Sequence, residues 1–241
     1  GQTVSAERGE SLLEVIRRAG HHVPSLCHHP AVQSYGACRL CLVEVVKRGK
    51  RQLTTSCNYP AMDGVEVFLD TEAVRSKRRL VLELLLARAS EAPQIQELAA
   101  SYGVTESRFP AEGERCILCG LCERVCGDVV GAHALTFAGR GDRRELGTPF
   151  GDPDACIGCG ACSAVCPTDC LTMESDALAR MRRRPAAERH CRYVALGVIA
   201  DGLCGNDYRC EICEVQQRLT ALAGDHPAFL DGRMGRGEEQ R

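Results

Sequence analysis

Eight cysteines fall in two short runs, "CILCGLCERVC" at 116–126 and "CIGCGACSAVCP" at 156–167. Both have the spacing C-x2-C-x2-C-x3-C: Cys116, Cys119, Cys122 and Cys126, then Cys156, Cys159, Cys162 and Cys166. Thiolates are soft ligands, suited to iron–sulfur clusters and zinc. A pair of zinc ribbons would take two C-x2-4-C pairs from separate arms of chain. Three consecutive steps, then a fourth cysteine after three residues, do not fit that pattern. They fit a cubane, which needs thiolates converging on its corners. Gly120, Gly158 and Gly160 let the backbone wrap closely enough to aim amides at sulfur. Pro167 follows the second run, while Gly127 stands at the same place after the first.

Two further groups of four lie outside the runs. Cys27, Cys38, Cys41 and Cys57 read C-x10-C-x2-C-x15-C. The plant-type [2Fe–2S] pattern is C-x4-C-x2-C with a distant fourth, so the first gap here is longer. His28 and His29 adjoin Cys27. A histidine can replace a cysteine on one iron, but with four cysteines present the pair is read as hydrogen-bonding or solvated. Cys191, Cys204, Cys210 and Cys213 read C-x12-C-x5-C-x2-C. Three readings stand open for them: a third [4Fe–4S] cluster, a structural zinc, or unligated thiols. His190 precedes Cys191 and is a competing donor. Cys170, in "CPTDC", has no spare partner and is read as a small core residue.

Composition narrows the compartment and the partners. The seventeen cysteines are odd in number, cluster in C-x-x-C steps and follow no visible signal peptide. Reduced thiolates in a cytoplasmic setting are expected, not a disulfide framework. A net charge of −2 points to neither nucleic acid nor an anionic membrane. The longest apolar runs, 80–87 and 194–200, fall short of the ~20 residues of a membrane span. No G-x-G-x-x-G follows a strand, and no Walker loop, catalytic triad or carboxylate pair is visible. The chain has residues for holding one-electron centres and no evident catalytic site of its own.

The elements that must position these cysteines divide the chain into four parts. Residues 1–70 read as a small mixed unit. "SLLEVIRRAG" is a helix with Ser11 as N-cap, Glu14 completing a capping box and Gly20 as the stop. Strands are expected at 41–46 and 65–69, with Pro60 and Gly64 in the turn before the second. Residues 71–102 read as a helical linker. Its first helix is capped by Thr71, with an apolar face of Val74, Val81, Leu84 and Leu85; its second runs from Glu91 to Tyr102. Residues 103–175 are loop-rich and hold both runs. Residues 176–241 begin with the basic helix "ALARMRRR", whose Arg180, Arg182, Arg183 and Arg184 read as a solvated face, and end in a polar tail expected to be mobile.

The two runs resemble a two-cluster bacterial ferredoxin. In that fold the fourth cysteine of each run ligates the other cluster. The resemblance assigns one [4Fe–4S] cluster to Cys116, Cys119, Cys122 and Cys166, and the second to Cys126, Cys156, Cys159 and Cys162. Upstream, "VPSLCHHP", "YGACRLCLVEV", "TTSCNYPAMDGVEV" and "KRRLVLELLLAR" resemble the N-terminal β-grasp [2Fe–2S] domain of the large iron–sulfur subunit of complex I. Related domains occur in NAD-linked hydrogenases and formate dehydrogenases. The resemblance runs to about 175, and the family's first strand would begin a few residues before Gly1. It implies an α+β fold: a β-grasp domain, a helical linker, a ferredoxin-like domain and a cysteine-containing helical extension. It implies one [2Fe–2S] cluster on Cys27, Cys38, Cys41 and Cys57. It also implies a role as an electron-transfer subunit between a flavin partner that meets NAD(P)H and a catalytic partner or soluble ferredoxin. Flavin and nicotinamide would sit on partners only. A freely diffusing redox carrier and a redox-sensing module are the rival readings. One departure stands out: the family's His/Cys3 cluster motif is missing, since 88–109 holds neither His nor Cys.

Overall fold

The computed structural model describes residues 1–171, 176–223 and 226–229. The polar tail at 231–241 lies outside the described residues. The chain forms two compact units. One comprises 1–29, 33–119 and 167–170; the other comprises 30–32, 120–166 and the part from 171 onward.

The first unit is built on a small antiparallel sheet, β1 (Leu42–Lys47), β2 (Lys50–Thr55) and β3 (Glu66–Phe68), in the order β2-β1-β3. The turn between β1 and β2 is two residues long, with Arg48 at φ 50° and Gly49 at φ 76°. Positive φ at both central residues matches the right-handed twist of a hairpin. Strand β2 was not expected from the sequence. Its Lys50, Arg51, Gln52 and Leu53 are exposed, so it carries no hydrophobic alternation to read. A charged edge of this kind guards a sheet against pairing with other chains.

Helix α1 (Leu12–Arg18) bears out its capping box: Ser11 accepts from the Glu14 amide, and the Glu14 carboxylate takes the Ser11 N–H at 2.7 Å. Its Leu12, Leu13 and Ile16 pack with Val23, Val43 and Val45 in a core that includes Cys41 and Cys57. The cysteine loops are therefore part of the hydrophobic core, not appendages to it.

Helix α2 (Glu72–Arg88) starts at Thr71 as expected, but its buried face differs from the one the sequence suggests. Val74, Arg78, Leu82 and Ala87 are buried, whereas Leu84 is 47% exposed. The stripe at i, i+4, i+8 runs through an arginine, because Arg78 has carbonyls to satisfy: Nε donates to Leu40 O at 3.2 Å and Nη2 to Leu42 O at 2.6 Å. Helix α3 (Pro93–Ser101) follows and ends before Gly103, at φ 72°.

Between α2 and the chain after α3, the Glu83 carboxylate accepts from Arg108 Nε at 2.7 Å, Nη2 at 2.8 Å and the backbone amide at 2.8 Å. This holds the Glu83 carboxyl down at about 2, against 4.5 ordinarily. A lowered carboxyl pKa stabilises the fold above its unfolded value and is lost as pH falls through the folded one. We expect the Tm difference between the wild type and Glu83→Gln to be full at pH 7 and to shrink between about pH 4.5 and 2. A difference that does not change with pH would dismiss the ion pair as its source.

The second unit contains α4 (Leu121–Arg124), which runs into a π-turn at Val125–Val129. A hairpin follows, of β4 (Thr136–Ala138) and β5 (Glu145–Gly147), then α5 (Ala161–Ala164). The hairpin occupies the insertion between the cysteine runs. Its Phe137 ring lies under Arg144, 4.0 Å from the guanidinium carbon. Beyond it come α6 (Asp176–Arg183), α7 (Arg192–Ala195) and α8 (Glu214–Ala223). Two arginines of the basic helix are not merely solvated: Arg180 donates to Pro153 O at 2.7 Å and Arg182 to Asp207 O at 2.8 Å. Among the described residues no helix is long and apolar enough to cross a membrane.

Candidate metal centres

In the first unit the β1–β2 hairpin places Cys41, just before β1, beside Cys57, in the short turn just after β2. The Leu42↔Thr55 pair fixes that register, and the Ser56 amide and hydroxyl both donate to Cys41 O, at 2.9 and 2.8 Å. Cys27 and Cys38 come from the preceding loop. Leu26 N–H donates to Cys38 Sγ and Cys38 N–H to Cys27 Sγ, each at 3.4 Å. Gly36 is needed for this path: at φ 77°, a Cβ there would meet Asn58 Nδ2 at 2.9 Å. All four cysteines are buried. Their thiols cannot all ionise together. Sulfur hydrogen bonds from Cys38 and Cys57 lower Cys27, and one from Cys57 lowers Cys41 to about 6. Cys38 and Cys57 are pushed up by those same bonds and by burial. Four converging buried sulfurs, with amides donating to two of them, are a donor set that only bound cations make fully thiolate. His28 beside them accepts from Arg17 Nη1 at 3.4 Å, a hydrogen-bonding role as expected.

In the second unit Cys126 is gathered with Cys156, Cys159 and Cys162. Burial pushes Cys126, Cys159 and Cys162 up, the last to about 12. Neighbouring sulfurs add to it: Cys156 acts on Cys126; Cys126 and Cys156 act on Cys159; and all three of the others act on Cys162. A cysteine of the first run thus stands among the first three of the second. The π-turn makes this reach: Cys126 O accepts from the Ala132 and His133 amides, and Ala134 N–H donates to Cys126 Sγ at 3.2 Å. Gly127, where the second run has Pro167, sits in this turn against His133. A Cβ on Gly127 would stand 3.1 Å from His133 Nδ1, so any larger residue there presses on that ring.

The two runs share backbone devices. Gly120 at φ 73° and Gly160 at φ 82° cap α4 and α5, and Leu118 at φ 52° matches Gly158 at φ 62°. Gly158 has a second constraint, since its Cβ would fall 2.6 Å from Met181 Sδ on α6. Of the other expected set, Cys116 and Cys119 belong to the first unit and Cys122 and Cys166 to the second. Their assignment to one cluster is what the resemblance to two-cluster ferredoxins implies. Arg88 Nε donates to Cys116 O at 3.2 Å, tying the end of α2 to the start of the first run. Cys170 is half-buried instead of in the core.

The C-terminal four also converge. An antiparallel bridge pairs His190 with Leu203, and Cys191 N–H donates to Gly202 O while Cys204 N–H donates to Arg189 O. Cys210 and Cys213 bracket a 3-10 turn, and Tyr208 N–H donates to Cys204 Sγ at 3.1 Å. Burial raises Cys210, and Cys204, Cys213 and Cys191 raise it further. His190 is exposed, and its carbonyl accepts from Tyr208 Oη. Among the described residues no three His, Cys, Asp or Glu side chains are drawn in tightly enough for one metal ion.

Sequence reasoning missed Arg78, Arg192 and His226. Arg78 was visible as an arginine four residues from both Val74 and Leu82 on a helix. Arg192 and His226 had no readable signal, because their partners lie far along the chain.

Residues 1–72 match the model of a 2Fe-2S iron-sulfur cluster binding domain, and 115–170 match that of a 4Fe-4S dicluster domain. A chain in the crystal structure of an NAD+-reducing [NiFe]-hydrogenase in the H2-reduced state is 32% identical. It superposes with a TM-score of 0.54 over 61% of this chain and 71% of that one. The chain belongs to this family of iron–sulfur subunits. Other members include an NADH-quinone oxidoreductase subunit of Streptomyces coelicolor, 30% identical over 77% of this chain. The NADPH-Fe(3+) oxidoreductase subunit alpha of Geobacter sulfurreducens is 28% identical over 71%. The chain spans about a quarter of the length of these two members of the iron–sulfur subunit family, 25% and 23%. Within the family layout, the small sheet of the first unit falls in the 2Fe-2S domain, and both cysteine runs fall in the dicluster domain.

Proposed function

We propose that this chain relays single electrons inside an NAD(P)-linked oxidoreductase, between a flavin-bearing subunit and a catalytic or ferredoxin-facing one. Cys27, Cys38, Cys41 and Cys57 hold a [2Fe–2S] cluster. Cys126, Cys156, Cys159 and Cys162 hold one [4Fe–4S] cluster, and Cys116, Cys119, Cys122 and Cys166 hold another. The convergence of Cys126 with three cysteines of the other run carries the reading, because crossed ligation belongs to two-cluster ferredoxins. Such clusters, when bound, take up and release one electron at a time. The chain's own work is to hold the thiolates, bury them from water and oxygen, and donate amide hydrogen bonds to sulfur, as Leu26, Cys38 and Ala134 do. NAD(P)H chemistry and flavin belong to partner subunits, and the thiol sites suit a reducing cytoplasm.

The test is reduction by pyridine nucleotide. NADH or NADPH should bleach the visible absorbance of the anaerobically purified complex and leave the isolated chain oxidised, while dithionite reduces both. Rapid reduction of the isolated chain by NAD(P)H would refute the need for a flavin partner. A chain that is monomeric in native extract would refute the subunit role.

A further inference from the structure

The two domain models match the chain as far as residue 170, and the C-terminal cysteines lie beyond them. These four come from three separate stretches, yet main-chain bonds bring them together: the 190–203 bridge, the 3-10 turn at 210–212 and the amide bond from Tyr208 to Cys204 Sγ. Asp207 and Tyr208 are both left-handed, at φ 53° and 56°. Such strain in two successive non-glycine residues persists only where the surroundings enforce it, and here it turns the Tyr208 amide onto a sulfur. Arg39, between Cys38 and Cys41, is left-handed in the same way at φ 56°.

Around this group lies a buried polar cluster. Arg192, 8% exposed, donates to Gln216 Oε1 at 2.7 Å and Tyr193 Oη at 3.2 Å, and lies 3.5 Å from Gly158 O. Its Nε has no hydrogen-bond partner among the described residues. Arg192 follows Cys191 of the C-terminal group in the chain, and the Gly158 carbonyl it reaches adjoins Cys159 of the other group. His226 Nε2 lies 2.6 Å from Cys159 O, and its ring stands 5.9 Å from that of Tyr193. One buried cation therefore serves two cysteine groups. A buried guanidinium N–H without a protein acceptor is costly, and a cluster's sulfur is an acceptor of the right charge.

We infer that Cys191, Cys204, Cys210 and Cys213 bind a further [4Fe–4S] cluster, seated against the Cys126, Cys156, Cys159 and Cys162 site with Arg192 between them. This rests on the iron–sulfur reading of that neighbouring site. It makes the C-terminal extension a fourth redox station on the chain and not a structural clasp.

The experiment counts iron and zinc in anaerobically purified wild type and Cys210→Ala. The wild type should carry about fourteen irons and no zinc. The variant should carry about ten and lose one reduced-cluster EPR signal, with the others intact. About ten irons plus one zinc, the zinc lost in the variant, would overturn the cluster in favour of a structural ion. Equal iron and no zinc in both proteins would overturn any metal at this site. Fewer than about eight irons in the wild type would instead overturn the twelve-cysteine reading; the wild type–variant difference of about four irons would still decide the C-terminal site. Should Cys210→Ala fail to fold, the wild-type count of fourteen irons, or of ten with one zinc, decides alone.

Discussion

Cys126→Ala will strip the cluster built on the second cysteine run, though Cys126 belongs to the first. Iron should fall by about four per chain. The sign of crossed ligation is in the double variants. Cys126→Ala combined with Cys159→Ala should lose no more iron than either alone, because both substitutions disable one cluster. Cys126→Ala combined with Cys119→Ala should lose about eight, because each disables a different one. Runs that each kept their own cluster would give the opposite pattern, and the gathering of Cys126 with Cys156, Cys159 and Cys162 would then have no bearing on ligation.

Arg78→Met will have the second large effect, on a residue that touches no sulfur. Arg78 is 4% exposed and satisfies the carbonyls of Leu40 and Leu42 on either side of Cys41. Hydrogen bonds to a charged group contribute about 1.5–3 kcal/mol each, and a buried carbonyl left unpaired costs about 1–3. Methionine fills the space and restores neither donor. We expect a loss of about 3–5 kcal/mol, with the [2Fe–2S] circular-dichroism bands weakened at temperatures where the wild type keeps them. Arg78→Lys, with one donor head for two carbonyls, should fall between. A methionine variant with wild-type Tm and full [2Fe–2S] signal would show that the loop holds Cys41 without this arginine.

The sequence was most legible where chemistry imposes a spacing. The repeated cysteine runs, the Ser11–Glu14 capping box and the Thr71 cap are local patterns, and the structure places each where its pattern puts it. Strand β2 was not legible, because an exposed, charged edge strand lacks the alternation that betrays a strand. The α2 face was misread because a buried arginine looks polar until its two acceptors, some forty residues earlier in the chain, are seen. The same holds for Arg192 and His226: both act on the loop at 158–159, and no window of sequence holds both ends of those contacts. The glycine that stands after Cys126 where the second run has Pro167 has a neighbour no local pattern shows: a Cβ there would press on the His133 ring.

The proposed ligation by Cys126 across the two runs also sets a clock on the ribosome. Cys162, the last thiol of that site, leaves the peptidyl centre 36 residues after Cys126. At ~5–20 residues per second that is roughly two to seven seconds, and Cys166 follows only then. In the proposed ligation neither set of four is complete before the second run is made: one closes at Cys162 and the other at Cys166. A scaffold that delivers whole clusters to the nascent chain would find no complete set of four in this domain until Cys162 has emerged, and so must deliver both clusters late, when the second run is out, or to the released chain.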